Sequence, residues 1–321
     1  MKQRIFTFLL IAVTALSACK KDKVDQNIHE YDQQQIENYM SANGLTDFKR
    51  DTTDGDTTGM YYKIMNKGTG PALEYSDEVS LVYTVRSMDG KYALTDTIVN
   101  HVDELLGHLT YSIQTSTQTR RGLPKGLQLA IKNVLKYRDG SMRLLVPSHL
   151  AYGTAGFSTG SVTNANARLA GNQSLDYYIH VINDQQVYDD LVIRNYMTAN
   201  NLSGYSKTST GLYYKVITPG TGTVGEITDF STVTATYTGT LLNNTAFAEG
   251  AKTTAAPITV SVQPLGVQEG LKGYAAAGTS ISLLVPSRLA YGAAGASGGT
   301  VAIGAHFPLR YEFQITTVTQ P

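Results

Sequence analysis

The chain has 321 residues, 26 basic against 26 acidic side chains, no tryptophan and one cysteine, Cys19. Balanced charge without a long basic run disfavours nucleic-acid binding. A lone cysteine excludes an intramolecular disulfide, so any fold must rest on core packing.

The first 19 residues read as an address. Lys2 and Arg4 supply positive charge, residues 5–15 are apolar, and Leu16-Ser17-Ala18-Cys19 offers a small-residue cleavage site. The apolar stretch is short for a bilayer span and has the layout of a signal peptide. Ending on Cys19, it resembles a bacterial lipoprotein signal, which implies cleavage before Cys19 and lipidation of that residue. Acyl chains would then anchor the protein to a membrane without spanning it. The expected location is extracytoplasmic, and Lys20 after the cysteine favours the outer membrane by the lipoprotein sorting pattern. Residues 20–56 form a tether and a helix, the latter signalled by the spacing of Ile36, Tyr39 and Met40 and by a stop at Asn43-Gly44. The polar run 51–58 has no periodicity and reads as loop.

Four strands are predicted next, at Met60–Met65, Glu78–Arg86, Ser141–Val146 and Leu175–Ile182, from their content of Val, Ile, Thr and Tyr. A short helix is expected after Gly122-Leu-Pro-Lys-Gly126. A second amphipathic helix, with Tyr188, Leu191 and Val192 in phase and Asn200-Asn201 as its stop, falls in a connector over residues 185–208. The pattern then starts again. Strands are predicted at Leu212–Thr218, Thr232–Thr238, Ser280–Val285 and Leu309–Val318, with a short helix after Gly266-Val-Gln-Glu-Gly270. Gly-Thr-Gly at 68–70 and 220–222 lies between the first two strands each time. With no helix following and no lysine placed, these are turns and not phosphate loops.

The restart is a duplication. Leu144-Leu-Val-Pro-Ser-His-Leu-Ala-Tyr-Gly-Thr-Ala-Gly156 returns, with two substitutions, as Leu283-Leu-Val-Pro-Ser-Arg-Leu-Ala-Tyr-Gly-Ala-Ala-Gly295. Residues 36–43 match 193–200, and 59–64 match 211–216. The offset falls from 157 to 152 to 139 residues, so the first copy carries insertions that the second lacks. A period this long marks a pair of domains, because solenoid repeats are far shorter. The expected units are 57–184 and 209–321.

An apolar run, a proline and Ala-Tyr-Gly before a glycine-rich loop resemble the FKBP-type peptidyl-prolyl isomerases. The resemblance implies an α+β fold in each unit, an antiparallel sheet wrapped over one short helix and preceded by a short amphipathic helix. It also implies a small apolar pocket that grips proline. In the second copy the family pattern places its pocket on Tyr237, Phe247 and Tyr291, with Val267 at the floor and Ile303, Tyr311 and Ile258 completing the walls. In the first copy the counterparts are Tyr83, Leu123, Tyr152 and Tyr177.

There are departures. The family's aspartate beside the wall phenylalanine is Ala248, with Glu249 next to it, and Val267 is small for a floor. In the first copy Val85 stands where the second has Gly239, and the wall phenylalanine is missing, Ala93 or Leu94 lying near its place. The first copy therefore reads as a binding or spacer domain. The function implied by the resemblance is prolyl isomerisation in exported clients, acting on their proline-containing segments and centred on the second copy. The alternative is a non-enzymatic binding module or scaffold with degenerate pockets. Such chemistry calls for no cofactor and no metal. The six histidines show no metal spacing, and His101 and His108 are expected at the surface.

Overall fold

The computed structural model describes residues 27–320 except 54, 56, 112, 115–118, 121, 159–167 and 297–300; at 113–114, 119–120, 158 and 248–253 only the backbone is described. The expectations for Cys19 and Lys20 fall outside the described residues.

Helix α1 (Ile28–Ala42) opens the structure, with the Asn27 side chain accepting from the His29 amide. Strands β1 (Tyr61–Asn66), β2 (Glu78–Ser87) and β3 (His101–Leu105) follow, then α2 (Lys125–Ala130), β4 (Ser141–Val146) and β5 (Leu175–Ile182). All strand pairings are antiparallel, in the order β1-β4-β5-β2, with β3 on the far edge of β2. Helix α3 (Gln185–Ala199) connects to β6 (Tyr213–Thr218), β7 (Thr232–Leu241), β8 (Ala246–Thr259), α4 (Leu265–Tyr274), β9 (Ser280–Val285) and β10 (Leu309–Thr319). The second sheet repeats the first as β6-β9-β10-β7-β8. The architecture is α+β, with two antiparallel sheets, each carrying one short helix on its inner face and an amphipathic helix before it.

Each sheet has its own core. Leu81, Leu127, Ile131, Leu144, Val146, Leu175 and Ile179 pack together in the first, and Val233, Val267, Leu271, Leu283, Val285, Leu309 and Phe313 in the second. Fully burying an aliphatic or aromatic side chain of this kind contributes roughly 1.5–3 kcal/mol, so a cluster this size folds a unit without a disulfide. The inner helices sit tight on the strands because of glycine. A Cβ on Gly266 would stand 2.5 Å from Val285 Cγ1, and one on Gly126 2.5 Å from Val146 Cγ1. That close approach also explains a difference from the sequence expectation. Neither inner helix follows its glycine segment as expected: α2 begins at Lys125, inside Gly122–Gly126, and α4 contains Gly266–Gly270, both starting directly after a proline.

The two amphipathic helices pack on the outer faces. Asp184 caps α3 through the amides of Gln186 and Val187, and Asn43 and Asn200 cap the C-termini as expected. The buried face of α3 is Asp189, Ile193 and Tyr196, one residue out of phase with the predicted Tyr188, Leu191 and Val192, and Leu191 is exposed. The phase is set by a polar contact: Asp189 accepts from both the amide and the hydroxyl of Ser287, in the turn after β9. Asp32 does the equivalent for α1, accepting from the amide and ring nitrogen of His149.

Sequence reasoning missed the edge strands β3 and β8. Both are rich in charged, Ala or Thr residues and lack the dense β-branched pattern of central strands. Among the described residues, no helix is long and apolar enough to cross a membrane.

Candidate functional site

The register of β10 against its neighbours assembles the aromatic cluster of the second repeat. Tyr311 faces Gly239 on β7 and Leu283 on β9; two residues on, Phe313 faces Tyr237 and Ile281. Residues two apart on a strand share a face, so Tyr237, Tyr311 and Phe313 meet on the inner side. Phe313 stacks on Tyr237 at 5.2 Å and on Tyr311 at 5.8 Å, and Phe247 meets Tyr311 edge-on at 5.8 Å. Val267, from the first turn of α4, is fully buried beneath them, and Ile258 and Ile303 close the sides. Tyr237 and Tyr291 are the half-buried members, forming the rim. The structure thus brings together all seven residues that the sequence placed in this pocket. Phe313 was missed, although its period-two spacing from Tyr311 could have found it. The side chains of 248–253 are not among those described, so the substitution at Ala248 lies outside the described residues.

Tyr291 is held by its turn. Gly295 takes φ +62°, and a Cβ there would stand 2.4 Å from Ile303 O, so only glycine lets the Ala296–Ile303 bridge form beside the turn. The amide of His306 donates to Gly292 O at 2.8 Å, tying the loop before β10 to the residue after Tyr291.

The first repeat has the same frame and a different filling. Tyr177 faces Val85 and Leu144, the register of Tyr311. Val85 is buried, and the residue in its register in the second repeat is Gly239. Pairing places Leu94 opposite Val85 at the wall position, but Leu94 is 36% exposed where Phe247 is 3% exposed. Tyr92, which sequence reasoning missed, turns inward instead. Burial, and then the neighbouring Tyr83, push its hydroxyl up to about 12. Tyr177 is raised well above the usual range, first by burial and then by Tyr152 and Tyr83, with a hydrogen bond to Tyr152 among the causes. Phe157 pairs with Leu169 and stacks on Tyr152 at 5.4 Å. In the second repeat the residue in that register is Ala296, paired with Ile303. Leu123 lies in the core. The first repeat therefore brings Tyr83, Leu123, Tyr152 and Tyr177 together and covers Tyr152 with an aromatic ring.

Histidine placement corrects the sequence expectation. His108 is largely exposed, whereas His101 is buried, its ring nitrogen Nε2 at 2.6 Å from Ser80 Oγ. Burial, and then the proximity of His306, lower its pKa to about 3, against a smaller opposing pull from Asp103. Among the described residues, no group of three or more His, Cys, Asp or Glu could hold a metal ion.

Residues 225–316 match the family model of FKBP-type peptidyl-prolyl cis-trans isomerases. No curated protein matches the chain. Similar solved structures include the three FKBP domains of wheat FKBP73 (17% identity, 86% of this chain and 100% of that chain covered, TM-score 0.32). Another is FkpA from Escherichia coli (26% identity, 42% of this chain and 63% of that chain, TM-score 0.34). A third is a peptidyl-prolyl cis-trans isomerase from Pseudomonas syringae (23% identity, 43% of this chain and 98% of that chain, TM-score 0.35). By the family match, the second repeat carries an FKBP-type domain.

Proposed function

We propose that the second repeat is a peptidyl-prolyl cis-trans isomerase acting on proline-containing segments of exported proteins, and that the first repeat is a binding or spacer unit. The observation that carries this reading is the paired register of Phe157 and Ala296, inside otherwise matching frames. Among the described residues no ring lies over Tyr291, whereas Tyr152 is covered, and Tyr291 falls within the span matched by the isomerase family.

The chemistry needs no acid, base or nucleophile. Rotation about a prolyl amide has a barrier of about 18–20 kcal/mol because resonance stiffens the C–N bond. At the twisted transition state resonance is lost and the carbonyl is less polar than in the ground state. An apolar surface that excludes water favours that state over the planar one. Val267, Ile258, Ile303, Phe247 and Tyr311 supply such a surface. Tyr291 and Tyr237 stand at the rim, where the Tyr291 hydroxyl can donate to the substrate carbonyl and hold the twist. Anchoring through a lipidated Cys19 would keep this pocket at a membrane surface, where exported chains emerge.

The test is prolyl isomerisation of an Ala-Leu-Pro-Phe-type peptide, followed by exchange NMR with the chain from Lys20 onward. Tyr291→Phe is expected to cut the rate about three- to tenfold, the size of one lost charge-free hydrogen bond, and Tyr152→Phe to leave it within about twofold. Equal losses in the two variants would move the activity out of the second repeat. No acceleration by the unaltered chain would leave a binding module.

A further inference from the structure

Between the two sheets lies a polar chain that neither pocket uses. His306, in the loop before β10, stacks on His101 of β3 at 5.0 Å and donates from Nε2 to Asp103 at 3.1 Å. Ser80 on β2 bonds the His101 ring and donates to Gln185 of α3 at 3.2 Å; Gln185 donates to Asp189, which accepts from Ser287. Asn243 of the second repeat donates to Asp96 of the first, and Ile98 packs against both clusters of the second repeat. The segment Ser287–Gly292, which carries Tyr291, is thus tied at one end to Asp189 and at the other to His306.

His306 is the residue that makes the cross-contact. Its backbone is left-handed at φ +58°, as is that of Asn172, whose amide makes the same bond to Gly153 in the first repeat. Asparagine serves that backbone geometry by itself, so the imidazole at 306 adds the contact with His101 and Asp103.

We infer that the His101–His306 contact is an acid-released clamp by which the first repeat holds the Tyr291 turn of the second; this rests on the reading of Tyr291 as substrate-facing. Every element around His101 bears on its charge. Ser80 from β2 gives its one proton to Gln185, so His101 donates through Nε2 and a second proton must enter on Nδ1. Asp103, on its own strand, is already engaged by His306. Tyr188 from α3 presents its ring edge-on, with His180 of β5 on that ring's other contact, and Asp189 lies beyond Gln185. Asp103 is bonded to His306, and among the described residues no carboxylate is bonded to the buried His101 ring 5.0 Å away. The docked state therefore binds fewer protons at His101 than the undocked state. Docking holds above the ordinary histidine pKa of about 6.5 and weakens as pH falls below it, by at most about tenfold per unit.

The test uses the full mature chain with spin labels at Lys67→Cys and Thr317→Cys in a Cys19→Ser background, and compares about pH 7.5 with about pH 5.0. The expected result is one narrow distance at the higher pH that broadens at the lower, a fall in the docked ratio of up to about thirtyfold. His101→Phe keeps the stacked ring without the charge and should stay narrow at both. His306→Asn, which suits the left-handed backbone, should be broad at both. Protection of the His306 amide from exchange, corrected for intrinsic rate, should fall with docking and so report the turn without any activity assay. An unchanged distance in the unaltered chain, or the same acid response in His101→Phe, overturns the clamp. Absence of isomerisation at every pH overturns the isomerase reading alone, because distance and exchange decide the clamp independently.

Discussion

Phe157 and Ala296 occupy one register position in two matching frames, and the difference of a ring decides what each tyrosine beside them can touch. Ala296→Phe should place a ring over Tyr291 as Phe157 lies over Tyr152, and reduce prolyl isomerisation at least tenfold with little change in thermal midpoint. Isomerisation by exchange NMR and a thermal melt check both halves of that statement. Phe247 is a different case, because it is buried wall and not rim. Truncating a buried phenylalanine removes its transfer energy and leaves a cavity. Phe247→Ala should cost about 3–5 kcal/mol by chemical denaturation, so its loss of activity must be read beside its loss of stability. The repeat alignment could have singled out Phe157, since its counterpart at an offset of 139 is Ala296. Leu94 and Tyr92 could not be read that way. Which of them turns inward depends on one extra residue in the hairpin turn before them, and the sequence shows no periodicity there.

At the scale of elements, the inner helices and the outer helices are held by opposite devices. The inner helix α4 sits on β9 by close approach, with Gly266 against Val285 and Gly270 against Leu283. Gly266→Ala must push a methyl into Val285, and overpacking of this kind costs typically about 1–3 kcal/mol; the measurement is the denaturation midpoint of the second repeat. The outer helix α3 is positioned by buried polar contacts at Asp189 and by Ile193. Burial raises the Asp189 carboxyl, partly offset by hydrogen bonds from Ser287 and Gln185. Asp189→Ala removes the acceptor and leaves the Ser287 amide and hydroxyl without it, a loss of about 1–3 kcal/mol. It should also detach the N-terminal turn of α3, visible as faster amide exchange at Ser287 than in the unaltered chain.

At the scale of the whole molecule, two cores that share few side chains should unfold separately. Leu144 belongs to one and Leu283 to the other. Leu→Ala at either buried site costs roughly 2–5 kcal/mol. Leu144→Ala should lower one calorimetric transition and Leu283→Ala the other; a single transition shifted equally by both would show the halves to be one cooperative unit. What couples the halves is a polar seam around His101, His306, Asp96 and Asn243, together with α3. A cavity of about 460 Å³ remains between α3 and the outer face of the first sheet, lined by Val82, Tyr178, Tyr188 and Val192. A seam of this kind allows the units to separate without unfolding, unlike a large apolar interface.

The sequence alone determined what depends on local pattern and on repetition. The central strands and helix caps follow from backbone preference and hydrophobic period, and the seven residues that the family pattern singles out in the second repeat meet in one apolar cluster. Only the tertiary structure decided which positions are covered. The phase of α3 and the burial of His101 are set by partners far away in the chain, Ser287 for Asp189 and His306 for His101, and the ring over Tyr152 by the pairing of Phe157 with Leu169 across a loop. Local propensity carries no information about such partners. The free energy that selects among the alternatives comes from contacts that exist only once both segments are in place.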